Sequence, residues 1–343
     1  MTDIVKIFDA EEYARKSFKA VNALFDAPTA GVIQTIDTVT EIVQGVVEAK
    51  YYELAGQRLT DFINIDASGR GAYAGDLMQF TAADISSPFK QCIINPASTG
   101  IHNDATADIA VDSIRTKNNF YRQKYSISQE GLKMAARNLV NFDIISQKEK
   151  ARKKNWDLGM QDVLFLGLED NRTYGLLNQP DVTINTSLFP TSVQNMTTEQ
   201  LKTFAGSALA TAFAATNYTI MPNRWAMPTN SFLALGVPYG DTFGMPTVIQ
   251  VLENAFKQAG APADFKIVHS LYNETAGVNG APRHVFYNTD PDNVIMHTPK
   301  PYTPHPLYAQ GALDMISDAE GQFTGVWLKR PTSMLYADET VAA

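Results

Sequence analysis

Residues 76–127 read as two long extended limbs joined by a polar stretch, and this pattern constrains the chain more than any other. The outgoing limb begins DLMQFT. The returning limb is DIAVDSIRTKNNFYRQKYSIS, along which Tyr121, Gln123, Tyr125 and Ile127 alternate as strand residues do. The joining stretch, SSPFKQCIINPASTGIHND, is polar and carries turn residues. A two-stranded ribbon of this length cannot bury itself alone. It needs a further surface to lie on, and another subunit can supply that surface. The preceding SGRGAYAGDLMQF, full of glycine and small residues, predicts a flexible lead-in.

The ribbon runs into a helical region. Ser126 and Gln129 have the spacing of a capping box, a short helix EGLKMAARN follows, and Asp143 can cap a second helix, IISQKEKARKKNWDLGMQDVLFLG. Ile145, Arg152, Trp156, Gly159, Met160 and Val163 share one stripe of that second helix, whose ~24 residues span roughly 36 Å. The charged run Lys148–Lys154 reads first as a solvated face, and alternatively as a basic wall turned toward nucleic acid. Upstream, residues 9–25 predict an amphipathic helix capped by Asp9, with Ala14, Phe18, Val21 and Phe25 on one face and Pro28 at its end. It is a packing helix or an arm that docks on a neighbour. Residues 30–66 mix helical spacing with β-branched content and leave helix and strand open.

Residues 195–298 alternate helix and strand. Thr197 and Gln200 suggest a capping box before the apolar face Leu201, Phe204, Ala205, Ala208, Leu209 and Ala212. A strand around Trp225–Met227 meets Pro228, a helix covers about 247–258, and Gly260 is placed to stop it. FKIVH, RHVFYN and NVIMH are short strand candidates. The proline-dense TPKPYTPHPL cannot be a central strand or a helix and predicts an extended crossing. GQFTGVWLKRPTSMLYAD predicts two short strands around Pro331, and the tail DETVAA is expected to be loose.

Composition narrows the chemistry. With 343 residues, 45% hydrophobic and 19% charged, the chain can bury a large core. Its formal charge of -8 argues against tight gripping of phosphates, so any contact with nucleic acid is expected to be diffuse. Cys92 is the only cysteine, which excludes an internal disulfide and a cysteine-rich zinc site, and it reads as a packing thiol. The N-terminus lacks the apolar run of a signal peptide, and no stretch is long and apolar enough to span a membrane. His102, His269, His284, His297 and His305 form no HExxH pair. His102, Asp104 and Asp108 lie close in a polar loop, where a cation site is weighed and set aside because acidic loop residues are common. Gly69, Gly71 and Gly75 have the wrong spacing for a dinucleotide fingerprint. No catalytic, cofactor or metal residues are therefore assigned.

Residues 118–182 carry a resemblance, in NNFYRQKYSISQEGLKMAARNLVNFDIISQKEKARKKNWDLGMQDVLFLGLEDNRTYGLLNQPDV. The segment resembles the central part of HK97-type major capsid proteins of tailed bacteriophages, in which a strand enters a short helix, a long spine helix follows, and a glycine turn ends in GLLN-x-P. Gly167, Gly175, Leu176, Leu177, Asn178 and Pro180 stand in that turn, and Gly325, Val326, Arg330 and Pro331 match the family's closing strand.

The resemblance implies an α+β, HK97-like fold divided into an N-terminal arm (1–66), an extended loop (67–127), a peripheral domain with the spine helix (128–194), an axial domain (195–298) and a return to the peripheral domain (299–343). It implies a shell protein rather than an enzyme. It further implies hexamers and pentamers of this chain around double-stranded DNA, a separate scaffolding protein if one is used, portal and decoration proteins as further partners, no membrane, and assembly in the host bacterial cytoplasm. Some relatives cross-link lysine to asparagine, but nothing near Lys90 supports that chemistry. Two other readings are an encapsulin-like bacterial compartment shell and a soluble α+β enzyme.

Overall fold

The structure, a computed structural model, describes residues 52–86, 107–130, 133, 144–168, 173–189, 191–239, 246–311 and 313–339. The helix expected at 9–25, residues 30–51 of the ambiguous stretch, the ribbon tip, most of EGLKMAARN and the Asp143 cap lie outside these residues.

Both limbs read as extended are strands. Strand β2 (Asp76–Ser86) pairs with the first half of β3 (Ala107–Ser128) in unbroken antiparallel register, from Asp76↔Lys117 to Ser86↔Ala107. The second half of β3 pairs instead with β11 (Asp314–Thr324), from Asn118↔Thr324 to Ser128↔Asp314. At 22 residues, β3 extends roughly 75 Å and changes partner between Lys117 and Asn118. The expected Ser126–Gln129 capping box does not form. Ser126 stays in the β3 ladder opposite Ile316, and the Gln129 amide donates to the Leu313 carbonyl.

The two short strands expected around Pro331 form, but the long strand β11 before them was not expected. Its sequence DMISDAEGQFT carries carboxylates, alanine and glycine, all poor strand formers. It forms because it is held on both flanks, by β3 on one side and by β9 (Lys300–Pro304) and β10 (Tyr308–Gln310) on the other. The prolines of β9 fit because it is an edge strand whose register on β11 slips between Glu320 and Gln322. The chain then closes through β12 (Val326–Leu328), one helical turn at Pro331–Ser333, and β13 (Met334–Asp338).

Helix α1 (Ile144–Phe165) buries Trp156, Met160 and Val163 of the expected stripe, while Gly159 faces outward. Trp156 meets Tyr121 edge-on at 5.0 Å and Phe323 at 5.9 Å, which seats the helix on β3 and β11. Arg152, buried among them, donates to the Ser317 carbonyl (2.9 Å), the Tyr302 hydroxyl (3.0 Å) and Glu149 (2.5 Å), and its guanidinium lies over the Tyr125 ring. The glycine turn follows. A Cβ on Gly175 would stand 2.3 Å from the Phe165 carbonyl oxygen, so only glycine lets the chain double back there. Asn178 locks the turn by accepting from the Gly175 amide and donating to the Leu166 carbonyl, both at 2.6 Å.

A five-stranded sheet in the order β4-β13-β7-β5-β6 carries the rest, with β4 (Thr183–Asn185), β5 (Arg224–Pro228), β6 (Lys266–Ser270) and β7 (Arg283–Tyr287). Its two faces serve two cores. Ala226, Val268, Val285 and Tyr336 point to the core that includes α1, while Trp225, Ile267, Phe286 and Leu335 point to the other. The second core is closed by α2 (Thr198–Ala215), followed after β5 by the short α3 (Thr229–Ala234), and by α4 (Val248–Gln258). Both long helices begin as expected or better. Thr197 and Gln200 form the reciprocal capping box at α2, and Thr247 and Gln250 form a second one at α4. Strand β8 (Val294–His297) leaves this sheet and joins β1 (Ile65–Asp66) and β12 in a three-stranded one.

Two buried polar pairs tie the large sheet together. Arg283 makes a bidentate pair with Asp338 (2.7 and 2.9 Å) between β7 and β13 and donates to the Leu177 carbonyl at 2.7 Å. His284 accepts from the Trp225 indole at Nδ1 and faces Glu339 through Nε2 at 2.9 Å. The indole bond makes Nδ1 the acceptor, so Nε2 carries the proton and the ring is neutral.

Removing one partner of the ion pair leaves a buried charge. Arg283→Met is expected to cost about 3–5 kcal/mol, read as a fall in the urea midpoint, whereas Arg283→Met/Asp338→Leu loses less than the sum of the two single changes. Burial lowers the pKa of His269, His284 and His297 from the ordinary 6.5. The unfolded chain therefore binds protons near pH 6.5 that the fold resists, and stability is expected to fall as pH drops from 7 to 5. Urea titrations at stepped pH check this. His284→Gln is expected to give a shallower slope, and an unchanged slope contradicts the assignment.

Candidate assembly surfaces

Four exposed apolar residues of the ribbon share one of its faces. The register sets Met78 and Phe80 on the same face as Ile109 and Val111. These four side chains are 47%, 67%, 61% and 63% exposed. Large apolar side chains grouped this way on a surface mark an interaction site. Burying each of them on a partner is worth roughly 1–2 kcal/mol at the usual area coefficient. The sequence pointed to the limbs but not to these residues. The signal was present as apolar positions two apart in both DLMQF and DIAVD, and only the pairing register shows that the two sets coincide.

The root of the ribbon is built from polar contacts. Asn118, at the point where β3 changes partner, donates from Nδ2 to the Ala74 carbonyl at 2.8 Å, and its amide donates to the Gly75 carbonyl at 2.9 Å. Gln322 on β11 accepts from the Tyr73 amide at 2.8 Å. Lys300 on β9 donates to the Tyr73 hydroxyl at 2.6 Å and bonds the Glu320 carboxylate, which His305 also meets at 3.0 Å. Where small residues predict a flexible lead-in, the segment instead makes successive turns, with the Ala72 amide on the Gly69 carbonyl and the Ala74 amide on the Gly71 carbonyl.

A second surface lies along α1. A groove of about 670 Å³ is lined by Lys150, Lys153 and Lys154 together with Leu54, Leu59 and Met160. Of the charged run, Arg152 points into the core, Lys148 donates to the Ser126 carbonyl, Lys153 pairs with Asp157 and Lys154 with Glu53. The run is thus one structural arginine and a mixed-charge outer face. The groove lining contains no histidine, cysteine or serine.

The remaining candidates do not converge. His102, Asp104, Cys92 and Lys90 lie outside the described residues, and of Asp108 only the strand backbone is described. His269, His284, His297 and His305 sit in separate places, partnered by Thr229, Glu339, Asp66 and Glu320 respectively. Among the described residues no three His, Cys, Asp or Glu side chains gather as metal ligands, and no helix is long and apolar enough to cross a membrane.

Comparison with known proteins agrees with this arrangement. The profile of the major capsid protein family matches residues 98–340. The capsid protein of Myoviridae phage XM1 superposes with a TM-score of 0.73 at 14% identity, covering 89% of this chain and 98% of that one. The capsid protein of a native GTA particle gives 0.56 at 9% identity, covering 92% and 100%. A protein of Mycobacterium phage Che8 gives 0.54 at 9%, covering 87% and 96%. No curated protein matches the sequence. The fold is α+β and HK97-like. With the family profile spanning most of its length, the chain belongs to the major capsid protein family and is a shell protein of the phage virion.

Proposed function

We propose that this chain assembles into hexamers and pentamers that close an icosahedral head around double-stranded DNA. The observation that carries the reading is the exposed stripe Met78, Phe80, Ile109 and Val111 on a ribbon that extends roughly 37 Å beyond the part of β3 held by β11. In this reading residues 67–127 form the extended loop and lie over the next subunit. Residues 1–66 form the arm, 128–194 and 299–343 the peripheral domain with α1 as its spine, and 195–298 the axial domain that meets its copies about the symmetry axes. Heterologous contacts of this kind close into rings, which suits capsomers.

The chain acts structurally and not as an enzyme. The mixed-charge face of α1 supports diffuse contact with DNA rather than tight binding, because its lysines are largely answered by Asp157, Glu53 and a carbonyl. A separate scaffolding protein, a portal and decoration proteins complete the head, and assembly takes place in the host cytoplasm.

Phe80→Asp combined with Val111→Asp tests the reading. Both side chains are exposed, so the unfolding midpoint of the isolated chain is expected to move by less than about 0.5 kcal/mol. Assembly into rings, sheets or shells, followed by electron microscopy and sedimentation, is expected to be lost. Shells formed at the wild-type yield sink the proposal.

A further inference from the structure

Tyr73 stands out in the turns that lead into the ribbon. Gly69, Gly71 and Tyr73 have φ of +80°, +78° and +64°, a left-handed conformation at every second residue. Glycine adopts it freely, and at Gly71 a Cβ would also fall 2.0 Å from Leu77 Cδ2. Tyr73 is strained there, and such strain persists only where the surroundings over-determine the residue. They do so here. Its amide is held by Gln322 of β11 at 2.8 Å, its hydroxyl by Lys300 of β9 at 2.6 Å, and the Lys300 ammonium stands 5.0 Å from the ring centroid. Lys300 is in turn fixed by Glu320 of β11. The side chain itself is 66% exposed, so it contributes little to the core and acts as a strut between the lead-in and the β9–β11 edge.

We propose that Tyr73 is a positioning residue for assembly, an elbow that sets the angle at which the ribbon leaves its subunit and so the register in which it meets the next copy. The inference rests on the reading that the ribbon lies on a neighbour. Leverage gives the elbow its effect. A 10° rotation at the root moves the far end of a ribbon of roughly 37 Å by about 6 Å, close to the spacing of successive same-face side chains. The apolar stripe then meets the neighbouring surface one pair out of place.

Three variants of the full chain test this, with its scaffold supplied if the wild type needs one. Tyr73→Gly removes the strain and the strut but keeps the backbone turn. Lys300→Met removes the strut and keeps the strain. Tyr73→Phe keeps the ring over the ammonium and loses only the hydroxyl bond. For the first two, amide exchange at residues 77–81 and 111–117 of the unassembled chain is expected to speed up at least tenfold, the unfolding midpoint is expected to stay at the wild-type value, and cryo-electron microscopy is expected to show particles of mixed diameter or open sheets. Tyr73→Phe is expected to restore most of the wild-type diameter distribution. Uniform wild-type particles from both Tyr73→Gly and Lys300→Met overturn the elbow. Phe80→Asp serves as the control. If it abolishes assembly while the elbow variants build normal shells, only the elbow fails. If it also builds normal shells, the ribbon reading fails and takes the elbow with it.

Discussion

The architecture depends on one strand serving two partners. β3 gives its first half to β2 and its second half to β11, and the exchange occurs at Asn118. One half is cemented into a sheet with α1 packed across it through Trp156 and Arg152. The other half leaves that sheet with only β2 beside it. Backbone hydrogen bonds satisfy the ribbon along its inner seam, but a two-stranded ribbon has no third layer to cover its apolar side. The stripe of Met78, Phe80, Ile109 and Val111 is the consequence, and a closed shell is a natural means of covering it.

Rigidity elsewhere makes such a projection useful. The Arg283–Asp338 pair and the His284–Glu339 contact sit where chain segments distant in sequence must hold one geometry. Buried polar contacts of this type add little net stability, yet they are intolerant of misplacement, because a shifted partner leaves a desolvated charge or amide behind. The large sheet, with a core on each face, therefore behaves as a stiff body. A stiff body with a directed ribbon can pass a defined angle to its neighbour, which a shell of fixed curvature requires.

Much of this was legible in the residues, and the failures have physical causes. Alternation from Tyr121 to Ile127 exposed the half of β3 that lies in the sheet, a 3.6-residue period exposed α1 and α2, and Thr197 with Gln200 announced the α2 cap correctly. The glycine turn was legible only through the family resemblance, and the structure supplies its cause, the close Phe165 carbonyl that leaves no room for a Cβ on Gly175. β11 was not readable, since Asp314, Asp318, Glu320 and Gly321 argue against a strand and only pairing on both flanks overrides them. The Ser126–Gln129 box failed for the same reason, because a ladder already in place outcompeted a local cap. Of the assembly surface, the limbs were legible and the stripe was not, because register is a property of two segments together. The elbow was hidden further, since the Tyr73 backbone conformation and its bonds to Gln322 and Lys300 join residues more than two hundred positions apart.

The central claim is that sister copies cover the ribbon's apolar face. Oxidative footprinting of Met78 and Phe80, read by mass spectrometry on unassembled chain and on purified particles, tests it most directly. Both side chains should be labelled readily in the unassembled chain and strongly protected in the particle, while exposed Tyr218 and Leu233 report how far protection is specific to the ribbon. Equal labelling of Met78 and Phe80 in the two states contradicts the account.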